Sequence, residues 1–388
     1  MSEFQRFIIL LIKSALLNEK EIFEFKTDWL KIIEFSKRQQ ILPMIYYGIL
    51  NSSLELPEKE LETLENYTYQ IVAIDQNQKL TISSLKKEFQ KNNVDYMLLK
   101  GSMLKNIYPK TEMRAMSDID ILVREEQYIN ISPILTSLGY KFKAETSHDY
   151  EWKNDLLNIE LHKFLIPPQN KDYYKFFETV WSRAVKTKDN EYVLNDEDQM
   201  IYLFLHFTKH FRSAGIGIRH IIDLWLFRSS HKYLNEKAVI DVLKRLGVDE
   251  FYKNIMETLE TWFGTREPDD VTSFITDYIF ESGSFGNYKN SIIFNEAISK
   301  DATAFNSKIR YIIKTFFPSL ASMKLAYPIL KTYPILLPVI WVKRWIVGII
   351  YKRKRMNYYI KGIHSLNSYN IKNSKEILKF VGIKTNEK

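Results

Sequence analysis

Apolar residues recur at two different spacings along the chain, and each spacing predicts a different type of element. Before about position 92 and after about position 195 they repeat at helical spacing, whereas the segment between contains short runs rich in β-forming residues. The pattern predicts an α+β fold, with a small mixed β-sheet flanked by a helical N-terminal region and a larger helical C-terminal region. Strands are expected at about 94–98, 118–123, 140–145, 149–153 and 156–163.

The same change of spacing suggests three regions. We interpret residues 1–92 as a helical N-terminal subdomain, 93–194 as a core that contains the sheet, and 195–388 as a helical C-terminal region with a basic end. The start of the chain has an apolar centre interrupted by Lys13 and no small-residue cleavage pattern, so we expect a buried helix and not a signal peptide. Further helices are expected at about 28–50, 57–90, 125–138, 195–211, 216–228 and 235–317, the last with breaks at 264–268 and 283–286.

The first strand of the core leads into a glycine turn. Gly101 and Ser102 follow the apolar run, and Met103, Leu104 and Ile107 then recur at helical spacing. A glycine at such a junction allows the backbone to approach a ligand closely, and the free N–H groups of a helix start favour a phosphate. Many strand–turn–helix junctions of this kind are purely structural, so the interpretation depends on the residues nearby.

The next strand carries two acids at alternate positions. The strand period of two places Asp118 and Asp120 on one face, about 7 Å apart, and Ile119, Ile121 and Val123 on the other. Two carboxylates this close repel each other unless a cation lies between them, and oxygen ligands suit Mg²⁺. We expect both acids to line an exposed cleft. The alternative is an edge strand with two solvated acids.

A third acid lies on a later strand. In residues 156–163 the alternation places Glu160 and His162 on one face and Ile159 and Leu161 on the other. Acids from two strands can hold two Mg²⁺ or Mn²⁺ ions for an in-line displacement at phosphorus. The sequence thus predicts a two-metal site.

These segments resemble the nucleotidyltransferase superfamily of the DNA polymerase β type, and most closely its poorly characterised bacterial branch. Two features differ from the usual pattern: the gap between the glycine turn and the first aspartate is longer than in the smallest members, and the third acid is Glu where Asp is usual. The residues that carry the resemblance are Leu99-Lys100-Gly101, Tyr108-Pro109, Arg114, Asp118 to Val123 and Glu160-Leu161-His162.

The resemblance implies transfer of a nucleoside monophosphate from an NTP, such as ATP, to a hydroxyl-bearing acceptor with release of pyrophosphate. Residues 93–194 would be the catalytic core. Asp118 and Asp120 would hold the ion of the nucleotide, and Glu160 would join them on a second, catalytic ion. The implied nucleotide-binding residues of this core are Lys100, Gly101, Ser102 and Arg114.

Two helices after residue 195 also resemble a segment of this branch. Lys209 and His210 lie on the first helix and Arg219 on the second, and all three are candidates for contact with the triphosphate. His206 and His210 are four residues apart but lack the glutamate of a zinc protease motif. Arg219 and Asp223 have the spacing of an intrahelical ion pair, and charged helix faces are often simply solvated.

Composition narrows the possible classes of protein. A hydrophobic content of 45% with 14% aromatic residues can fill the cores of a globular protein of 388 residues. The chain contains no cysteine, which excludes disulfides, thiol catalysis and cysteine-ligated zinc, and which is compatible with a reducing cytoplasm. We therefore expect a cytoplasmic protein, with peripheral contact to a membrane as a further possibility.

The formal charge of +8 is unevenly distributed. Residues 301–388 carry 17 Lys and Arg against 3 Asp and Glu, a balance of +14, so residues 1–300 carry 38 against 44, a balance of −6. The eleven apolar residues 332–342 are too few to span a bilayer and predict a core helix. Trp341, Trp345 and the basic run 352–355 would also suit a membrane interface.

The basic end leaves three partners open, namely nucleic acid, an anionic membrane and the acidic remainder of the protein itself. Two alternatives to the enzyme follow. One is a protein of the same fold that binds a nucleotide without turnover. The other is a nucleic-acid or membrane-surface interaction protein that uses the basic C-terminal segment. The acceptor of an enzyme, whether a small molecule, a peptide, a protein or RNA, is not specified by the sequence.

Overall fold

The computed structural model describes residues 1–18, 20, 28–146, 148–168, 170–213, 215–282, 288–297, 303–351 and 353–384. These residues form two compact units. The first comprises Met1–Thr208 with Ile216–Phe285, and the second comprises Lys209–Gly215 with Gly286–Lys388. The predicted break at 283–286 and one residue of the basic run, Lys352, lie outside the described residues.

The first unit contains a mixed sheet of seven strands in the order β3-β4-β5-β2-β1-β7-β6, which confirms the predicted α+β fold. Strands β1 and β2 are antiparallel, whereas β2 and β5 are parallel neighbours. The two last strands, β6 and β7, were not predicted. The strands are β1 (Tyr96–Leu98), β2 (Asp118–Val123), β3 (Lys141–Glu145), β4 (Asp149–Lys153), β5 (Asn158–His162), β6 (Val185–Lys188) and β7 (Glu191–Val193).

The faces of β2 and β5 have opposite character, as their alternation predicted. Ile119, Ile121 and Val123 of β2 are fully buried, together with Ile159 and Leu161 of β5. Side chains of the helices before β1 and after β2 complete this core. The apolar face of these two strands therefore packs into the core, and the acids lie on the opposite face.

Four helices precede the sheet, and their ends follow from local capping. The hydroxyl of Ser2 and the side chain of Gln5 form a capping box at the first helix, and Asp28 caps the second. Gly48 allows the third helix to approach the first, because a Cβ there would collide with the backbone of Leu11. The helices are α1 (Glu3–Leu17), α2 (Trp29–Gln39), α3 (Leu42–Asn51) and α4 (Glu58–Lys91).

Short helices connect the strands, and longer ones follow them. The backbone N–H of Asp198 donates to the Asn195 side chain at 2.8 Å, so Asn195 caps the first helix after the sheet. The side chain of Gln39 donates to the carbonyls of Ile279 and Phe280, which joins α2 to the last helix of this unit. These helices are α5 (Lys100–Leu104), α6 (Tyr128–Ser137), α7 (Lys171–Phe177), α8 (Val180–Arg183), α9 (Asp196–Ser213), α10 (Ile218–Ser230), α11 (Glu236–Arg245), α12 (Asp249–Phe263) and α13 (Asp270–Ser282).

The regular elements of the second unit are all helices within its described residues, and one of them corrects a prediction. The apolar run expected to form a core helix is mostly exposed, since Ile340 is the buried residue of its helix. The helix also continues past Lys343 and Arg344 to Tyr351. The helices are α14 (Tyr288–Ala297), α15 (Ala304–Phe316), α16 (Leu320–Ala326), α17 (Ile329–Thr332), α18 (Leu337–Tyr351), α19 (Arg353–Ser365) and α20 (Ser368–Phe380).

One segment of the described chain, Pro334–Tyr351, has 18 residues and is long and apolar enough to cross a membrane, judged by length and composition alone. Only 6% of it is buried within the protein. The eleven uncharged residues 332–342 did not indicate a segment of this length, because they end before Lys343 and Arg344.

Candidate active site

The parallel pairing of β2 with β5 brings the predicted acids together. In the register of the two strands Asp120 lies beside Glu160, Asp118 beside Asn158, and Leu122 beside His162. Residues paired in this way share a face of the sheet. The polar face therefore carries all three acids, with the histidine two positions beyond Glu160.

Asp120 lies at the centre of this group. Its side chain is buried, and its Oδ1 is 2.6 Å from the Lys100 ammonium and 2.7 Å from Nε2 of His162. Burial alone would raise the pKa of Asp120, but Lys100 and His162 outweigh burial and hold the pKa below its usual range. The expectation that Asp120 lines an exposed cleft is therefore wrong. Asp118 is half-buried, with the Ser117 hydroxyl 3.1 Å from its Oδ1.

The position of Lys100 depends on an uncommon backbone conformation. Its φ is +45°, in the left-handed region, although it is not a glycine. The preceding N–H, from Leu99, donates to the carbonyl of Asp120 at 3.0 Å, which fixes the end of β1 beside β2. Burial alone would lower the pKa of Lys100, but the Asp120 carboxylate raises it, so the ammonium stays charged.

Glu160 experiences the opposite electrostatic effect. Burial, followed by the carboxylates of Asp120 and Asp118, raises the pKa of Glu160 to about 8. Its Oε2 lies 3.6 Å from Nε2 of His162. The carboxyl group is therefore mostly protonated at neutral pH in the metal-free protein, because burial and the two neighbouring carboxylates both disfavour its charged form.

The donor set of the site fits a divalent cation. Among the described residues, Asp120, Glu160 and His162 each bring one ligand atom to within 4.8 Å of the others. A second such group consists of His148, Asp149 and His162. A cation bound to the acids would relieve the repulsion that raises the pKa of Glu160.

The glycine turn is tightly packed within the protein. A Cβ at Gly101 would come within 3.1 Å of Met116, so the absence of a side chain allows the turn to pack on the segment before β2. Ser102 is buried, its N–H donates to the carbonyl of Leu99, and its hydroxyl faces the sulfur of Met116. The predicted phosphate contacts of Gly101 and Ser102 stay predictions.

Two arginines hold the segment that leads into β2. Arg114 is buried and forms a bidentate pair with Asp223 of α10, with N–O distances of 2.7 and 2.8 Å. The hydroxyl of Tyr108 donates to the same carboxylate at 2.7 Å. Arg219 donates at 2.6 Å to the carbonyl of Ala115, which also accepts a bond from Arg114 at 2.8 Å. Burial and the charge of Arg114 lower the pKa of Arg219 to about 10.

Asp223 thus pairs with Arg114 and not with Arg219, the partner suggested by helical spacing. The planar guanidinium of Arg114 makes two bonds to the Asp223 carboxylate, whereas Arg219, on the same helix as Asp223, bonds to the carbonyl of Ala115. The proposed contact of Arg114 and Arg219 with a nucleotide stays a prediction. So does that of Lys209 and His210, which lie on the last turns of α9, within the second unit.

Residues beyond the predicted set also lie in the site. His162 bonds to Asp120, and the sequence contained a signal for it, since it shares a face with Glu160. Tyr202 is buried on α9, its hydroxyl has no hydrogen-bond partner within the described residues, and Lys100, Asp120 and Glu160 lie close enough to influence its pKa. Nothing in the sequence distinguishes Tyr202 from the apolar residues around it.

The α+β fold thus carries a cluster of carboxylates on two adjacent parallel strands, with Lys100 beside them, and these carboxylates could hold a divalent cation. A family model described as "Uncharacterised nucleotidyltransferase" matches residues 26–264. The chain belongs to this family, and membership implies an NTP as substrate. A search of curated proteins and a search of solved structures found no match.

Proposed function

We propose that the protein transfers a nucleoside monophosphate from an NTP to a hydroxyl-bearing acceptor and releases pyrophosphate. The observation that supports this most directly is the register that places Asp120 beside Glu160, with Asp118 on the same face. Family membership supports the transferase class. ATP is the first nucleotide to test, and the cytoplasm is the compartment in which we place the reaction.

Two ions, Mg²⁺ or Mn²⁺, fit the proposed chemistry. Asp118 and Asp120 would hold the ion that accompanies the nucleotide, and Glu160 would join them on the catalytic ion, with His162 as a further donor beside Asp120. When bound, such ions neutralise the charge that develops on phosphate oxygens and lower the pKa of a bound hydroxyl.

The side chains of the protein would prepare this site in two ways. Lys100 balances the charge of Asp120 before a nucleotide arrives, and its ammonium is then placed to contact a phosphate beside that carboxylate. Glu160 must release its proton before it can bind a cation, because its pKa is raised to about 8. Arg114 and Arg219 keep the segment before Asp118 in place.

The acceptor would enter from the side of Asp118. A pocket of about 130 Å³ opens beside Ser117 and is lined by residues 114–117 and by side chains of α4. Its walls combine apolar side chains, among them Tyr67 and Ile71, with polar and charged groups such as Gln78, Asp75 and Lys105. Such a lining suits a compact molecule that carries a hydroxyl on an apolar frame.

The decisive experiment incubates the protein with each labelled NTP, Mg²⁺ or Mn²⁺ and cell extract, and identifies the molecule that carries the label. Pyrophosphate release is measured in parallel. Asp118→Asn should abolish both signals, whereas Glu88→Gln, which changes a carboxylate of α4 outside the site, should leave them intact. Nucleotide binding without pyrophosphate release from any NTP would contradict the enzyme and favour the binding protein of the same fold.

A further inference from the structure

The second unit exposes a stripe of aliphatic side chains along α18. Val339, Val342, Ile346, Ile349 and Ile350 recur at helical spacing, and each is between 47% and 62% exposed. Single exposed hydrophobic residues are normal on a protein surface, but a continuous stripe marks a site of interaction. We call these five residues the α18 stripe.

The opposite face of α18 is fixed against the rest of the unit. The indole N–H groups of Trp341 and Trp345 donate to the carbonyls of Pro318 and Phe316, at 3.1 and 2.8 Å. Arg344 donates to the carbonyl of Thr315 at 2.9 Å. Three bonds from one face define the rotation of the helix, so the stripe faces outward as a consequence of the packing. The two tryptophans, which were expected to suit an interface, are held inward.

A neighbouring helix adds a second apolar row. Phe305, Ile309 and Ile313 of α15, with Phe317 after it, are spaced by four residues and are between 39% and 72% exposed. Thr315 and Phe316, which accept the bonds from α18, belong to this same helix. The unit therefore presents aliphatic and aromatic side chains from two helices that are bonded to each other.

Positive charge accompanies these side chains. Residues 303–384 contain a single acid, Glu376. Lys343 lies within the exposed face of α18, Lys331 lies before it, and Arg353 begins the next helix; all three are exposed. A partner that fits the α18 stripe and the cations near it must accept apolar side chains and offer negative charge.

We propose that the second unit binds the surface of an anionic lipid bilayer, with α18 lying in the plane of the interface and the α18 stripe among the acyl chains. An anionic bilayer provides both an apolar phase and a negative surface. RNA would satisfy the charge but would leave the aliphatic stripe in water. A transmembrane orientation is disfavoured, because it would place Lys343 and Arg344 near the middle of the span and break the bonds of the inward face.

The test is flotation of the full-length protein with vesicles of phosphatidylcholine alone or mixed with phosphatidylglycerol. The wild-type protein should float with the mixed vesicles and stay at the bottom with the neutral ones. The double variant Val342→Glu/Ile346→Glu should lose binding about tenfold or more, because two carboxylates would enter the apolar phase. Leu80→Glu, at a 67% exposed position of α4 in the first unit, is the matched control and should float like the wild type.

Circular dichroism and thermal unfolding would verify that the variants are folded, as substitutions at exposed positions should allow. The proposal is overturned if the wild-type protein fails to float with the mixed vesicles at low salt, or if the double variant floats equally well. Binding to RNA in place of vesicles would also overturn it. A dimer that the double variant converts into a monomer, without any lipid binding, would assign the stripe to a second copy of the chain.

Discussion

Replacing the two aspartates of β2 one at a time should separate their roles in folding from their role in transfer. Asp118→Asn and Asp120→Asn should both abolish transfer, since each removes a ligand charge from the proposed nucleotide ion. They should differ in stability. Asp118 is half-buried at the rim of the site, whereas Asp120 is 5% exposed and accepts bonds from Lys100 and His162.

The magnitude follows from the surroundings of Asp120. At 2.6 Å, and with an effective dielectric constant of about 20, the attraction between Lys100 and Asp120 is roughly 6 kcal/mol before desolvation is subtracted. Removing one member of a buried pair costs about 3–5 kcal/mol, because the other charge is left unpaired. An asparagine oxygen still accepts one bond, so we expect Asp120→Asn to lose about 3 kcal/mol. Asp118→Asn should stay within about 0.5 kcal/mol of the wild type.

Denaturant unfolding of the metal-free variants at neutral pH measures this difference. The double variant Asp120→Asn/Lys100→Met should recover part of the loss, since it removes the unpaired ammonium. The pKa of Asp120 is lowered by folding, so its contribution is present above its unfolded pKa and disappears as the pH falls through the folded value. Equal stability of wild type and Asp120→Asn at neutral pH would refute the reasoning.

The remaining predictions concern four other residues. Glu160→Gln should lower kcat strongly with little change in the affinity for Mg²⁺-NTP, as single-turnover kinetics and calorimetry would show; equal loss of nucleotide binding would contradict its role. Because its pKa is raised to about 8, Mg²⁺ affinity should increase as the pH rises towards that value, and Glu160→Gln should abolish the increase. Tyr202→Phe should keep or slightly raise the melting temperature while transfer falls about tenfold or more; unchanged turnover would place the hydroxyl outside the reaction. Arg114→Met or Asp223→Leu should each cost about 3–5 kcal/mol in denaturant unfolding, and the double variant should cost less than their sum; additive losses would argue against the pair.

The sequence was sufficient for the parts of the site that depend on local periodicity. The alternation in β2 and β5 placed the acids on one face and Ile119, Ile121 and Leu161 on the other, as the structure has them. Periodicity also separated the helical regions from the sheet. These features depend on residues a few positions apart, whose backbone geometry is nearly constant.

Features that depend on distant partners could not be predicted in this way. The burial of Asp120 results from the turn at Lys100 and from His162 on another strand. The partner of Asp223 is 109 positions away, and helical spacing pointed to Arg219 instead. The exposed position of α18 was missed for a related reason. An apolar run shows that burial of the segment is favourable, but it does not show what will bury it.

The bond between Arg114 and Asp223 also limits how far the chain can be shortened. Strands β2 to β7 and helix α9 all lie between its two members in the sequence, so the segment before β2 is held by a helix that follows the whole sheet. A fragment that stopped before α10 would leave the Arg114 guanidinium and the Tyr108 hydroxyl buried without their acceptor, next to the segment that leads into Asp118. A shortened chain that keeps the sheet should therefore retain the sequence through α10.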